Sequence, residues 1–179
     1  KKYQEGYQPL VEKFTNISLK NLDIKKVAKK ISSKTAAIMI EPIQGEGGVN
    51  VFSAEFLKDL EQLCAEKDIM LIFDEVQCGI GRTGKLFHYL WHNVNPDIVC
   101  TAKGIGGGFP LAACLVKEKY AKSMTPGSHG GTYGGNPLSM AVGNAVLDEI
   151  LKPKFLDNVT NQGKYLKEQL EILQQKFPT

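Results

Sequence analysis

The chain has 179 residues, of which 42% are hydrophobic and 23% charged, and its net charge at pH 7 is +3. This composition is typical of an ordinary globular protein, and so mild a charge favours neither nucleic acid nor an anionic membrane surface as a partner. No apolar run approaches the roughly 20 residues that a membrane-spanning helix needs.

The first residues predict little regular structure. We expect an extended connection over residues 1–20, because this stretch has little periodicity. In Leu22–Ile31 the apolar residues recur at i, i+3, i+4 and i+7, which predicts a helix. Asn21 or Asp23 would cap its amino end. A short buried strand, Ala36–Ile40, is expected next.

The middle of the chain predicts a second helix and three more strands. Ser53–Lys67 has an apolar stripe at helical spacing, and Ser53 is its expected N-cap. The apolar runs Ile69–Phe73 and Asp97–Cys100 predict buried parallel strands. A further strand, Ala112–Val116, follows too closely for a helical crossover, so we expect it to be antiparallel to its neighbour.

Two longer helices are expected at the carboxyl-terminal end, at Asn136–Leu151 and Phe155–Phe177. Together with the preceding strands, they predict an α/β doubly wound fold. A domain boundary is expected near Lys152–Pro153, where the composition becomes helical and polar. It divides the chain into residues 1–152 and 153–179.

Polar residues follow two of the predicted parallel strands. Asp74 and Glu75 end the first strand, and Lys103 follows the second. Ligands of open α/β sheets bind at the carboxyl ends of the strands, and one strand–helix–strand crossover would bring these ends together. A lysine that carries pyridoxal phosphate and a carboxylate at the pyridinium nitrogen need this arrangement. Glu75 would point the other way on an extended strand, so we leave it out.

Four blocks of sequence make the hypothesis more specific. They are EPIQGEGG (41–48), FDEVQCGIGRTGKLF (73–87), AKGIGGGFPL (102–111) and HGGTYGGNPL (129–138). In this order they resemble the signature blocks of class III aminotransferases. The resemblance implies the large domain of the pyridoxal-phosphate transferase fold type I, with a mostly parallel sheet and helices on both faces. Residues 1–152 would be the second half of that domain and residues 153–179 the start of a small one.

The resemblance also implies roles for three residues at the strand ends. Lys103 would carry the cofactor and then move a proton between substrate and cofactor. Asp74 would contact the pyridine nitrogen, where a carboxylate keeps the ring protonated. Gln77 would hydrogen-bond to the phenolic oxygen of the cofactor.

Three further residues come from the resemblance alone. Glu41 and Glu46 flank a turn that glycines would equally suit as an exposed loop. The family places both near the substrate, with Glu46 controlling specificity. Thr132 would bind the cofactor phosphate of a neighbouring subunit, which implies a homodimer whose active sites are shared.

The resemblance implies a reaction that moves the terminal amino group of N-acetylornithine to 2-oxoglutarate, as in arginine biosynthesis. Ornithine, 4-aminobutyrate and succinyldiaminopimelate remain open as donors. Family members are more than twice this length and bind the substrate carboxylate with an arginine outside these blocks. We therefore expect an internal piece of a longer enzyme, inactive or even unfolded when isolated.

Two motifs suggest other functions. The stretch GIGRTGK (79–85) resembles a phosphate-binding P-loop of an ATPase, but Leu86 stands where Ser or Thr must contact magnesium. His88 and His92 have metal-compatible spacing, yet Tyr89 stands where a zinc protease needs Glu. We therefore expect neither a nucleotide nor a metal site.

The cysteines indicate the compartment. Cys64, Cys78, Cys100 and Cys114 show no CxxC spacing, and the start of the chain lacks the apolar core of a signal peptide. We therefore expect reduced, buried thiols in a cytoplasmic protein.

Overall fold

A computed structural model describes residues 4–178. They fall into two compact units, Lys1–Thr35 and Ala36–Thr179. The predicted boundary at 152/153 lies inside the second unit and stays a prediction.

The first unit has one short helix, α1, at Ile24–Ala28. Asp23 caps it, because its carboxylate accepts the backbone N–H of Lys26 at 2.6 Å. The helix is shorter than predicted from the spacing. Beyond it the N–H groups of Lys30 and Ile31 bond to carbonyls three residues back, so the chain tightens into turns.

The second unit contains a four-stranded sheet and a small hairpin. The main sheet has the order β1-β4-β5-β6. Its first three strands are parallel and β6 is antiparallel to β5, as predicted. Its strands are β1 Ala37–Ile40, β4 Met70–Asp74, β5 Ile98–Thr101 and β6 Ala113–Val116. The antiparallel hairpin consists of β2 Ile43–Gln44 and β3 Asn50–Val51.

The helices of this unit are α2 Ala54–Glu66, α3 Glu118–Ala121, α4 Pro137–Ile150 and α5 Phe155–Lys176. As predicted, the Ser53 hydroxyl caps α2 by accepting the N–H of Phe56 at 3.1 Å. The helix packs on β4. Leu57 and Leu60 are almost fully buried, and each such side chain contributes about 2 kcal/mol of hydrophobic stabilisation.

The crossover between β4 and β5 contains no α-helix. The prediction of a strand–helix–strand unit at this point is therefore wrong. One 3-10 helix, His88–Trp91, stands in its place. The aromatic residues around it pack as a cluster instead. The ring of Tyr89 stacks on Phe87 at 5.7 Å and lies 6.4 Å from Phe73. These ring contacts hold the crossover against β4 without an α-helix.

The helix α4 positions the turn that follows β5. Its first turn is capped by Asn136, whose side-chain oxygen accepts the N–H of Ser139 at 2.9 Å. The helix packs against a 3-10 helix at Lys103–Gly106. A cluster of buried apolar side chains joins the two: Ile80, Phe87, Val99, Ile105 and Ile150.

The helix α5 has an apolar stripe that is mostly uncovered. Leu156 packs on the core cluster, but Leu166, Leu170 and Leu173 are each more than half exposed. The predicted one-sided pattern is present, yet only its amino-terminal end has a partner among residues 4–178. No helix in this part of the chain is long and apolar enough to cross a membrane.

Candidate active site

Asp74 and Lys103 lie at the same edge of the sheet. The pairing of β4 with β5 sets Asp74 opposite Cys100. Lys103 begins the 3-10 helix that follows β5 directly. Both strands are parallel, so the carboxylate and the amine extend from neighbouring carboxyl ends, where α/β sheets bind ligands.

The backbone of Lys103 is strained. Its φ angle is +46°, in the left-handed region that residues other than glycine rarely adopt. The following residues Ile105 and Gly106 are buried, and a Cβ at Gly104 would lie only 3.2 Å from Ile80. Packing around the turn therefore holds an exposed lysine in an unfavourable conformation, which is frequent at functional sites.

Asp74 is only partly satisfied by the protein. Its Oδ1 accepts the N–H of Val76 at 3.0 Å, and the side chain is half-buried. Neither Asp74 nor Lys103 takes part in the ion pairs formed within residues 4–178. A carboxylate can accept several hydrogen bonds, so capacity remains for a ligand.

Gln77 connects two of the four sequence blocks. Its side-chain amide occupies the space that a Cβ at Gly45 would fill. Gly45 therefore allows the turn of the β2–β3 hairpin to approach Gln77, at a distance that no larger residue permits. This contact brings the segment that carries Glu46 beside the segment that carries Asp74.

The two candidate substrate residues differ in position. Glu41 is half-buried and follows β1 directly, at the same edge of the sheet as Asp74. Glu46 is exposed in the hairpin turn, which hydrogen bonds from Gly48 N–H to Gly45 O and from the Asn50 side chain to Gly47 O help to close. Instead of a plain loop, a built hairpin presents Glu46.

Thr132 lies apart from this cluster of contacts. Every residue from 121 to 135 is exposed, Thr132 included. Hydrogen bonds within this stretch are local, such as Gly134 N–H to Gly131 O at 3.1 Å. Its role at a cofactor phosphate stays a prediction.

Glu75 supports the site from behind, a role that the sequence analysis did not predict. Its two carboxylate oxygens accept the N–H groups of His88 at 2.6 Å and Tyr89 at 2.9 Å. Burial raises its pKa, although these hydrogen bonds and one from Cys78 act in the opposite direction. Glu75 thus ties the aromatic crossover to the end of β4. A carboxylate inside an otherwise apolar stretch was the available signal.

The P-loop-like stretch is filled by helices. A Cβ at Gly81 would lie 3.1 Å from Leu156 and 3.2 Å from Ile150, and one at Gly84 would overlap the Thr160 hydroxyl. The glycines therefore allow α4 and α5 to pack closely instead of forming an open phosphate cradle. Within residues 4–178 no group of three metal-ligating side chains occurs either.

The cysteines correct one expectation. Cys64 and Cys78 are buried as predicted, but Cys100 is half-buried and Cys114 is exposed. All four are free thiols. Cys114 lies on β6, whose side chains alternate between faces, and the sequence alone did not show that its face is open.

Comparison with known proteins defines the family. The model of the family Aminotransferase class-III matches residues 2–179. The acetylornithine aminotransferase of Mesorhizobium japonicum is 51% identical over 99% of this chain and 44% of its own length. The chain therefore belongs to the class-III aminotransferases, and it spans less than half the length of the curated relatives it matches.

Solved structures agree on the fold. The N-acetylornithine aminotransferase of Stenotrophomonas maltophilia superposes with a TM-score of 0.77 at 38% identity, over 87% of this chain and 40% of the other. The ornithine aminotransferase of Plasmodium yoelii gives 0.82 at 33% identity, over 87% and 42%. The mainly parallel α/β architecture is that of the pyridoxal-phosphate aminotransferases, as the sequence blocks implied.

Proposed function

We propose that the full-length protein transfers the terminal amino group of N-acetylornithine to 2-oxoglutarate, a step of arginine biosynthesis. The observation that carries the proposal is the pair of partly unsatisfied groups, Asp74 and Lys103, at neighbouring strand ends. Support for the donor comes from curated relatives about 50% identical that bear the name acetylornithine aminotransferase. The solved ornithine aminotransferase from Plasmodium yoelii is only 33% identical.

The donor set fits pyridoxal phosphate. The carboxylate of Asp74 suits a protonated pyridine nitrogen, the amine of Lys103 suits an aldehyde, and the amide of Gln77 suits a phenolic oxygen. Gly108, in the turn after Lys103, has φ +109°, a backbone conformation that larger residues rarely adopt. When bound, the cofactor supplies an electron sink for the substrate carbon that loses a proton.

The residues of this chain then have distinct tasks. Asp74 keeps the ring nitrogen charged, since an adjacent carboxylate favours the protonated form. Lys103 would hold the cofactor, and its free amine Nζ would accept the proton from the substrate carbon and deliver it to the cofactor. The turn fixes the backbone of Lys103 at the strand end, which reduces the entropy lost on reaching the reactive geometry.

The two glutamates face the substrate side in this proposal. Glu46 gates specificity from the hairpin turn, and Glu41 lines the site from the end of β1.

We also assign residues 1–152 to the large domain and residues 153–179 to the start of a small one. Unpaired thiols at all four cysteines support a reducing, cytoplasmic location.

A substrate panel tests the proposed reaction. Full-length protein with pyridoxal phosphate is assayed with 2-oxoglutarate and, in turn, N-acetylornithine, ornithine, 4-aminobutyrate and succinyldiaminopimelate. We expect kcat/KM to be highest for N-acetylornithine. A higher kcat/KM for another donor would identify that donor as the substrate instead. The absence of transamination with all four donors would overturn the proposed activity.

The assembly is proposed to be a twofold homodimer in which Thr132 binds the phosphate of the partner's cofactor. Mixed dimers of Lys103→Ala and Thr132→Ala protomers test it. One site then carries both defects and the other neither, so part of the activity should return. No recovery in dimers that have exchanged subunits would mean that Thr132 serves its own site or none.

A further inference from the structure

Cys100 and Cys114 face each other across the antiparallel strands β5 and β6. The Cys100 carbonyl accepts the N–H of Glu75 at 2.8 Å on the β4 side. The backbone of Cys100 therefore points away from β6, and the two cysteines form a pair without mutual backbone hydrogen bonds. In such pairs the Cα atoms are about 4.5 Å apart and the side chains lie closest. Disulfides span Cα separations of about 4.4–6.8 Å.

The other two cysteines provide an internal contrast. Cys64 and Cys78 are 2% and 4% exposed. Burial raises the pKa of Cys64 to about 11 and that of Cys78 to about 12. Such thiols are inert, because the thiolate is the reactive form. Within residues 4–178 Cys114 is exposed instead, and it is the register partner of the half-buried Cys100.

The two thiols interact directly. Burial raises the pKa of Cys100, and the charge and hydrogen bond of Cys114 contribute next, followed by the charge of Asp74. Asp74, Cys100 and Cys114 are paired in register across three strands, so their side chains share one face of the sheet. The thiol pair is thus next to the carboxylate of the candidate site.

We propose that Cys100 and Cys114 form a dithiol site that reacts with small disulfides and closes a reversible cross-strand disulfide. The linkage encloses the segment Thr101–Ala113, which contains Lys103 and its glycine-rich turn. The site is a feature of the sheet itself and does not depend on the donor of the amino group.

The exchange proceeds in two balanced steps. The exposed Cys114 loses its proton to solvent, and its thiolate attacks one sulfur of a small disulfide RSSR. The S–S bond breaks and one RSH leaves. Cys100 then loses its proton and attacks the Cys114 sulfur, which releases the second RSH. In sum, two protein thiols are oxidised to one disulfide and RSSR is reduced to two RSH.

Peptide mapping of the full-length protein tests the proposal without an activity assay. The folded protein is incubated with oxidised glutathione, alkylated and digested without reduction. We expect a linked peptide pair containing Cys100 and Cys114 that dithiothreitol separates, while Cys64 and Cys78 are alkylated as thiols after denaturation. Absence of the linked pair at full oxidant, with both peptides recovered as thiols or as separate glutathione adducts, would overturn the proposal.

Serine variants separate a dithiol from two independent thiols. Cys100→Ser should trap glutathione on Cys114, since no second thiol can release it, and Cys114→Ser should prevent the linkage. Cys64→Ala is the matched control and should behave as the parent. Phenylarsine oxide gives a second readout, because it condenses with two adjacent thiols and releases water without any redox step. Binding one arsenical in the parent and none in either serine variant is expected; equal binding in all three would refute the paired site.

Discussion

The two ends of the β5 strand carry the same kinds of residue in different states. At the amino end Asp97 is almost fully occupied by protein groups. One oxygen accepts the N–H of Leu71 at 3.0 Å, and the other lies 3.1 Å from the Lys117 ammonium and 3.5 Å from that of Lys119. Burial alone would raise the pKa of Asp97, but these hydrogen bonds and lysine charges outweigh it and lower the pKa.

At the carboxyl end Asp74 and Lys103 form no ion pair with each other or with another residue among 4–178. Asp74 accepts one backbone N–H, and Lys103 is exposed in a strained backbone conformation. The contrast teaches that residue type alone does not mark a site. Saturated groups such as Asp97 stabilise the sheet, whereas unsatisfied groups such as Asp74 and Lys103 are available for chemistry.

A cavity also lies at the amino end of β5. A cavity of about 210 Å³ lies beside Asp97 and is lined also by Cys64, Lys117 and Tyr120. Its carboxylate is already paired with lysines. The cavity therefore offers space, but its charged groups have little capacity left for a ligand.

The largest expected effect is at Lys103. In the full-length protein Lys103→Ala should reduce turnover by roughly four orders of magnitude or more, because in the proposed mechanism Lys103 alone carries the cofactor and the proton. It should also remove the visible absorption of the lysine-bound cofactor. The exposed Lys119→Ala, at the opposite end of β5, is the matched control and should keep both. Retained activity in Lys103→Ala would transfer the role to another amine.

Asp74→Asn should lower kcat by about a thousandfold, or ~4 kcal/mol, with the cofactor still bound. An amide accepts a hydrogen bond but does not hold the ring nitrogen charged, so the loss falls on the transition state. Asp97→Asn is the counterpart at the other end: it should cost about 2 kcal/mol of unfolding free energy and little turnover. Steady-state kinetics and urea unfolding measure the two effects. If both variants lost stability and neither lost rate beyond tenfold, the distinction between the two ends would fail.

The pH dependence of the unfolding free energy tests the burial of His88, whose backbone N–H donates to Glu75 behind the candidate site. Burial, and next the charge of His92, lower the pKa of His88 to about 4, from about 6.5 in an unfolded chain. The unfolded state therefore binds more protons between pH 4 and 6.5, so stability present above pH 6.5 is lost as the pH falls towards 4. The loss from this group approaches roughly 3 kcal/mol.

His88→Gln should remove most of that pH-dependent loss, and His129→Gln, in an exposed loop, should not. Denaturant unfolding of the three proteins at several pH values between 4 and 7 measures the difference. The raised pKa of Glu75 acts in the opposite direction, so the comparison between variants is informative and the parent curve alone is not. Parallel curves of unfolding free energy against pH for the parent and His88→Gln would contradict the lowered pKa of His88.

The smallest effect is expected at Gly45. An added Cβ would displace the Gln77 amide, so Gly45→Ala should lower kcat/KM by about tenfold, ~1.4 kcal/mol. Gly163→Ala is the control, because nothing lies within 4 Å of its added Cβ in α5. That change should stabilise the helix by about 0.5–1 kcal/mol without altering the rate. An unaffected Gly45→Ala enzyme would mean that the Gln77 position tolerates displacement.

The sequence predicted the backbone of the sheet well. Apolar runs fixed the strands before Asp74 and Lys103, and the short connection after β5 predicted that β6 is antiparallel. These features depend on local patterns and chain length. The helix-free crossover and the anchoring role of Glu75 depend on contacts with distant aromatic residues, which periodicity does not encode. For the same reason the prediction that Cys114 is buried was wrong for the described residues.

The candidate site was predicted only in part. Lys103, Asp74 and Gln77 were proposed from strand ends and sequence blocks, and the structure places Asp74 and Lys103 at one edge of the sheet. The strain at Lys103 and the contact between Gly45 and Gln77 were not visible, because both arise from packing between segments far apart in sequence. Thr132 lies in an exposed stretch, and its role at the cofactor phosphate of a neighbouring subunit remains a prediction.

Borohydride reduction of the full-length protein loaded with pyridoxal phosphate tests the central claim most directly. Reduction makes the bond between cofactor and lysine permanent, and peptide mapping then locates it. We predict the added mass on the peptide that contains Lys103, and unmodified peptides for Lys117 and Lys119 at the opposite end of β5. Modification at either of those lysines, or none at Lys103, would contradict the assignment of the carboxyl end as the active site.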